Sequence, residues 1–252
     1  MRKTMMKKKK KIVNLKKIEE KFSLLESKLN IFFENKNLLF NAFCHRSFLN
    51  ETNSPFPSYE NLEFLGDAVL SLIITEYLYL HFYQTKKEGE LSYLRAFLVN
   101  KNKLAECSRK LGFDKYLLLS VGEEKAGGRK NDNLLANVFE SFLASLYLDK
   151  GYKICQKFVE QHLILNSLEE IKKGKIKDFK TMLQEKAQKI LGETPVYKLI
   201  QEWGPDHNKF FLVGVFLGKK KIAQGEGRSK KEASEQAAQK ALEIKDWQNV
   251  KN

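Results

Sequence analysis

Apolar residues divide this chain into two regions with different periods. From Ile18 to about Leu168 the spacing is helical. Ile18, Phe22, Leu25 and Leu29 recur at i, i+4, i+7 and i+11, one stripe of an amphipathic helix. Leu38, Leu39, Ala42 and Phe43 open another helix, and Pro55 and Pro57 interrupt the pattern within 53–58. A long apolar segment covers 61–82. A loop at 86–89, helices over 91–99 and 103–111, a loop over 122–133, and helices over 134–148 and 152–165 follow. Residues 169–177 are charged, contain Gly174 and read as a linker. Beyond them the period changes: a helix over 179–191, strands over 196–203, 209–217 and 220–225, and an Ala-rich helix over 229–244. This α-β-β-β-α order predicts helices on one face of an antiparallel sheet. The fold expectation is therefore two domains, one all-α and one α+β.

Composition narrows the classes. Hydrophobic residues make up 42% and charged residues 30% of 252, a globular balance. Cys44, Cys107 and Cys155 are far apart, so neither a CxxC metal site nor a disulfide framework fits, and a reducing, cytoplasmic setting is expected. The basic start lacks the apolar core of a secretory signal. The apolar run Leu70–Tyr83, broken by Thr75, Glu76 and His81, is too short to span a bilayer, so no membrane partner is expected.

Charge adds a sharper clue. The net +14 divides into +9 for residues 1–17, zero for 18–176 and +5 for 177–252. The first segment is a basic tail expected to be disordered. A basic chain suits a polyanionic partner, but the neutral middle needs another account of its acids.

Those acids are patterned. On a helix, Glu60, Glu63, Asp67 and Ser71 share one stripe among Leu62, Phe64, Leu65, Val69 and Leu70. Asn137 and Glu140 repeat the i, i+3 spacing in an otherwise apolar second helix. Two amphipathic helices with solvated polar faces fit this spacing. So does a shared carboxylate cluster, which requires a cation because like charges repel. Oxygen donors without His or Cys suit Mg²⁺ or Mn²⁺. Two such ions can activate water and stabilise a leaving oxygen in phosphodiester cleavage.

Asn61-Leu62-Glu63-Phe64-Leu65-Gly66-Asp67-Ala68-Val69 closely resembles the signature of the ribonuclease III family. His45-Arg46-Ser47, Glu88-Gly89-Glu90-Leu91-Ser92, Leu94-Arg95-Ala96, Glu124-Lys125-Ala126-Gly127-Gly128 and Leu135-Ala136-Asn137-Val138-Phe139-Glu140 resemble further family segments in order. The resemblance implies a nuclease domain over 18–168, with its motif core over 18–151. It also implies a divalent-metal site at Glu63, Asp67, Asn137 and Glu140, with Asp67 and Glu140 catalytic, Glu60 and Glu88 supporting, and Phe64 at a dimer joint. The implied activity is hydrolysis of double-stranded RNA to 5′-phosphate and 3′-hydroxyl ends by a homodimer using two Mg²⁺ or Mn²⁺ ions per site. The implied roles are processing of ribosomal precursors and structured messenger RNA, and no small-molecule cofactor is called for. The family usually carries Asp at the place of Asn137. An amide brings one neutral oxygen and no charge, so weaker metal binding at this edge is expected. The competing reading is a non-cleaving duplex-RNA-binding protein on a nuclease fold. His45 is expected to have a structural hydrogen-bonding role.

Residues 178–247 resemble the double-stranded RNA-binding domain. Lys180-Thr181-Met182-Leu183-Gln184-Glu185, Gly204-Pro205-Asp206-His207-Asn208-Lys209-Phe210 and Gly227-Arg228-Ser229-Lys230-Lys231-Glu232-Ala233-Ser234 carry the match. The resemblance implies that Thr181, Gln184 and Glu185 meet one minor groove, that His207 meets the next, and that Lys230 and Lys231 meet phosphate. A-form RNA displays its 2′-hydroxyls in a wide minor groove, which such a constellation can read. Lysines at a helix start add to the attraction of its free N–H groups for phosphate.

Overall fold

The computed structural model describes residues 12–172, 179–205, 209–244 and 247. They form two compact bodies, the first within residues 1–87 and 94–173, the second within 88–93 and 174–252.

The first body is helical. Its elements are α1 (Leu15–Leu29), α2 (Lys36–Ala42), α3 (Arg46–Glu51), α4 (Glu60–Phe82), the last five residues of α5 (Glu88–Leu98), α6 (Lys101–Leu111), α7 (Val121–Lys125), α8 (Asp132–Lys150), α9 (Tyr152–Val159) and α10 (Leu165–Lys172). A π turn over Glu160–Ile164 joins α9 to α10. The centre is aromatic. Phe22 of α1 lies 5.2 Å from both Phe40 and Phe43, and Phe43 lies 5.2 Å from Phe113. Phe142 of α8 lies 4.9 Å from Phe113 and 5.2 Å from Phe158 of α9. Such tilted and edge-on ring contacts add to the energy of burial. The helix α8 is the hub, packed on α2, α4, α6 and α9.

Several expectations change here. Residues 1–11 of the expected disordered tail lie outside the described residues. Leu15–Lys17, however, are helical, because the Asn14 side chain accepts the Lys17 N–H and starts α1 early. The expected loop at 122–133 holds α7, whose cap is the Ser120 hydroxyl accepting the Glu123 N–H, and a 3₁₀ turn over Gly128–Lys130. The expected linker begins later than 169, since α10 runs through Lys172. Residues 173–177 of that linker lie outside the described residues. At 23 residues α4 is long and apolar enough by length and composition to cross a bilayer, contrary to the reading of its apolar run. Its Leu62, Val69, Leu70, Ile73, Ile74 and Leu78 are buried, and the helix packs on α8 as part of the core.

The second body follows the expected order: α11 (Phe179–Leu191), β1 (Val196–Trp203), β2 (Phe210–Leu217), β3 (Lys220–Gly227) and α12 (Lys230–Leu242). The strands form one antiparallel sheet in the order β1-β2-β3, with a bulge between Leu199 and Gln201 of β1. Leu183, Ala187, Val215, Leu217, Ala237, Ala238, Ala241 and Trp247 make its core. The alanines let α12 lie directly on β3. A Cβ on Gly225 would stand 2.3 Å from the Ala237 nitrogen and 2.4 Å from the Ala233 oxygen, so only glycine fits there.

Candidate active site

Of the acids expected to work together, Glu63, Asp67 and Glu140 come within electrostatic reach of one another at the crossing of α4 and α8. The closest approach is at Gly66, where a Cβ would sit 1.9 Å from the Glu140 carbonyl oxygen. Backbone touches backbone there, and the side chains on either side converge. Between Leu135 and Leu146 of α8 every residue is buried except Asn137 and Glu140, which are half-buried. On α4, Glu63 is half-buried while Glu60 and Asp67 are exposed. The two helices thus open one polar seam in an apolar wall.

Electrostatics report that the seam is shared. Glu140 is pushed up to about 7, first by burial and then by the charges of Asp67 and Glu63. Glu63 is raised by burial and by Glu60, while a hydrogen bond from the Asn137 side chain opposes that rise. The same amide bonds the Tyr59 hydroxyl, and burial holds that phenol neutral far above neutral pH. Asn137 therefore acts as a neutral bracket: its NH₂ group supports the Glu63 carboxylate where an Asp would repel it. Glu60 leans outward, accepting the Ser58 hydroxyl at 3.0 Å and standing 3.9 Å from Arg46.

The remaining expected residues are placed as follows. Glu88 opens α5, accepts the Ser92 hydroxyl at 2.8 Å, and belongs to the residues described with the second body. His45 caps α3: its Nδ1 accepts the Ser47 N–H at 3.3 Å and lies 2.8 Å from the Ser47 hydroxyl, a structural role. Phe64 is 84% exposed, so it is not core packing within the chain. It heads a stripe down α4 with Leu72, Tyr79 and Tyr83, all exposed.

Sequence reading missed two residues that make the site. Tyr59 stands just before α4 and holds Asn137. Gly66 permits the crossing, and a glycine inside an apolar helical run was its available signal.

Among the described residues, no three His, Cys, Asp or Glu side chains already form a closed metal cage. Uncompensated carboxylates repel, so an open cluster is the arrangement expected of them alone. Donor chemistry nevertheless fits a hard divalent cation. The donors are all oxygen, they are half-buried in part, and Glu140, raised first by burial, also feels the charges of Asp67 and Glu63, which a cation would offset.

In the second body, Gln184 and Glu185 are exposed and Thr181 is half-buried on α11, while Leu183 and Ala187 turn to the core. Lys180, Thr181 and Gln184 line a pocket with Pro195, Tyr197 and Glu235. Lys230 and Lys231 are exposed in the first turn of α12. That turn is capped by the Ser229 hydroxyl accepting the Glu232 N–H at 3.1 Å, and Glu232 accepts the Arg228 N–H at 2.8 Å. His207 lies outside the described residues.

Comparison with known proteins agrees with this geometry. Residues 35–167 match the family described as Ribonuclease-III-like, and residues 179–245 match the double-stranded RNA binding motif. Ribonuclease 3 of Borreliella burgdorferi is 42% identical over 214 residues, spanning 85% of this chain and 87% of that protein. Ribonuclease 3 of Streptococcus equi subsp. zooepidemicus is 44% identical over 230 residues, spanning 90% and 97%. Among solved structures, the nuclease domain of ribonuclease III from Campylobacter jejuni superposes with a TM-score of 0.52 at 35% identity, covering 57% of this chain and 94% of that one. A second structure of that domain, described for structural flexibility in a region involved in dimer formation, gives 0.50 at 36%, covering 55% and 95%. A nuclease-type helical body with carboxylates at its main helix crossing, followed by an α-β-β-β-α module, places this chain in the ribonuclease III family.

Proposed function

We propose that this chain is an endoribonuclease that hydrolyses double-stranded RNA at the α4–α8 crossing. The observation that carries this is the convergence of Asp67, Glu63 and Glu140 in a half-buried seam, on a chain that also carries a duplex-RNA-binding module. Glu63, Asp67 and Glu140, with the Asn137 oxygen at the edge, would hold one or two Mg²⁺ or Mn²⁺ ions. A divalent cation bound there supplies Lewis acidity and lowers the cost of deprotonating the attacking water. The protein's own part is positional. Asn137 fixes Glu63, Tyr59 fixes Asn137, and Gly66 sets the reach between the two helices. Hydrolysis adds water across the phosphodiester, breaking the bond to the 3′ oxygen and leaving 5′-phosphate and 3′-hydroxyl ends. Purified full-length protein with fully paired RNA and Mg²⁺ should give such ends. Duplex binding without cutting would favour the non-cleaving reading.

Asn137 invites a direct trial. Asn137→Asp replaces an N–H donor to Glu63 with a fourth negative group. We expect half-maximal cleavage at lower Mg²⁺ and lower stability without metal. An unchanged Mg²⁺ titration would contradict the weaker-edge assignment.

On duplex recognition, Lys230 and Lys231 stand where the free N–H groups of α12 also favour phosphate. Replacing both by Ala should weaken duplex binding and lower the log–log salt slope by roughly two. The same affinity at every salt concentration would refute the contact. The α4 stripe headed by Phe64 suits a second copy of this chain, so that each subunit of a homodimer would cut one strand. A cytoplasmic setting fits the three cysteines, which are free and buried.

A further inference from the structure

The sheet of the second body has a second side that the duplex-binding reading does not use. On β2, Val213, Val215 and Leu217 are buried toward the helices, so Phe210, Leu212, Gly214 and Phe216 face outward by strand alternation. The solvated side of an antiparallel sheet is ordinarily polar. Here its central strand is apolar and aromatic, and Gln224 and Glu226 of β3 stand opposite Gly214 and Leu212. Gly214 lies beneath Ile200 and Phe216: a Cβ on it would come within 2.8 Å and 2.9 Å of their side chains. Ile200 is the extra residue of the β1 bulge, and it is exposed.

At one end of this face two rings are nearly parallel. Trp203 and Phe210 are cross-strand partners with centroids 6.0 Å apart and planes 14° apart, and Trp203 is 39% exposed. The Arg228 guanidinium stands 5.8 Å from the Phe210 centroid, and Lys198 stands 5.2 Å from that of Phe216. Parallel rings interleaved with cations are the chemistry that holds unpaired bases and the phosphates between them. Position strengthens the argument. Trp203 immediately precedes the Gly204-Pro205 turn, and Arg228 is two residues before Lys230. The shelf therefore borders the elements assigned to the duplex.

We propose that the outer face of this sheet is a second nucleic-acid surface, on which unpaired bases flanking a bound duplex stack against Trp203 and Phe210. This rests on the duplex-binding reading of α12. It would let the protein favour duplexes that continue into single strands over blunt ones, because unpaired bases are available only there.

The test uses the full chain in EDTA, which prevents cutting. The probes are a blunt RNA duplex and the same duplex with a six-adenosine 3′ extension. Wild type should bind the extended duplex roughly tenfold more tightly. Tryptophan fluorescence should fall further on binding the extended duplex than the blunt one, since Trp247, the other tryptophan, is buried. Trp203→Ala should erase the tenfold difference and leave blunt-duplex affinity unchanged, whereas Trp203→Phe should keep most of it. Lys230→Ala with Lys231→Ala should weaken both duplexes and preserve their ratio. If that double variant leaves blunt binding intact while Trp203→Ala removes the gain, the shelf stands and only the lysine assignment falls. Equal affinity of wild type for the two duplexes, or a gain that survives Trp203→Ala, overturns the proposal and leaves the face to a protein partner.

Discussion

Glu140→Gln is expected to abolish cleavage, by a thousandfold or more, while duplex binding and helical content stay at wild-type levels. The change keeps the side chain's size and removes its charge. In the folded protein that charge is opposed by burial, Asp67 and Glu63. Its ionisation near pH 7 against an ordinary 4.5 has a definite sign: the carboxyl's contribution to stability is complete below about pH 4.5 and is lost as pH rises to 7. Metal-free wild type should accordingly lose stability across that window. The Gln variant should lose less and should be the more stable protein above pH 7. Mg²⁺ should restore wild type there and leave the variant unchanged. A variant both inactive and destabilised at pH 8 would show that Glu140 serves the fold rather than the chemistry.

Gly66→Ala is expected to have the second largest effect. The added methyl would occupy space 1.9 Å from the Glu140 carbonyl oxygen, where both parties are backbone and neither can rotate away. Insertion of a methyl into a packed interface costs about 1–3 kcal/mol and more where backbone must move. At the upper end, melting should fall by roughly 6–12 °C. Cleavage should fall beyond what unfolding explains, because separating α4 from α8 draws Asp67 and Glu63 away from Glu140. Thermal melts and cleavage at a temperature where both proteins are folded separate the two effects. Wild-type melting and activity in this variant would contradict the helix crossing as the frame of the site.

Much of this was legible from residue order. In the second body the helices and strands begin and end within two residues of the sequence reading, because alternating strands and an Ala-rich helix are unambiguous local signals. In the first body the long helices were legible, whereas α3 and α7 were not. Those short helices are held by His45 and Ser120 caps rather than by apolar periodicity. The i, i+3, i+7 spacing put Glu60, Glu63 and Asp67 on one stripe and the i, i+3 spacing paired Asn137 with Glu140, while their roles were implied only by the family resemblance. What stayed hidden was tertiary. That Glu60 turns away toward Arg46, that Asn137 serves Tyr59 and Glu63 together, and that Phe64 points to solvent all depend on which helix faces which.

The central claim is that the acids at the α4–α8 crossing hold the cation that cuts RNA. Its most direct test is Mn²⁺ binding to the full chain, read as loss of the free-ion spin-resonance signal. Wild type should withdraw Mn²⁺ from solution, and Glu140→Gln should weaken that binding at least tenfold, with Glu51→Gln, outside the seam, as the unchanged control. Equal Mn²⁺ binding by wild type and Glu140→Gln would contradict the account.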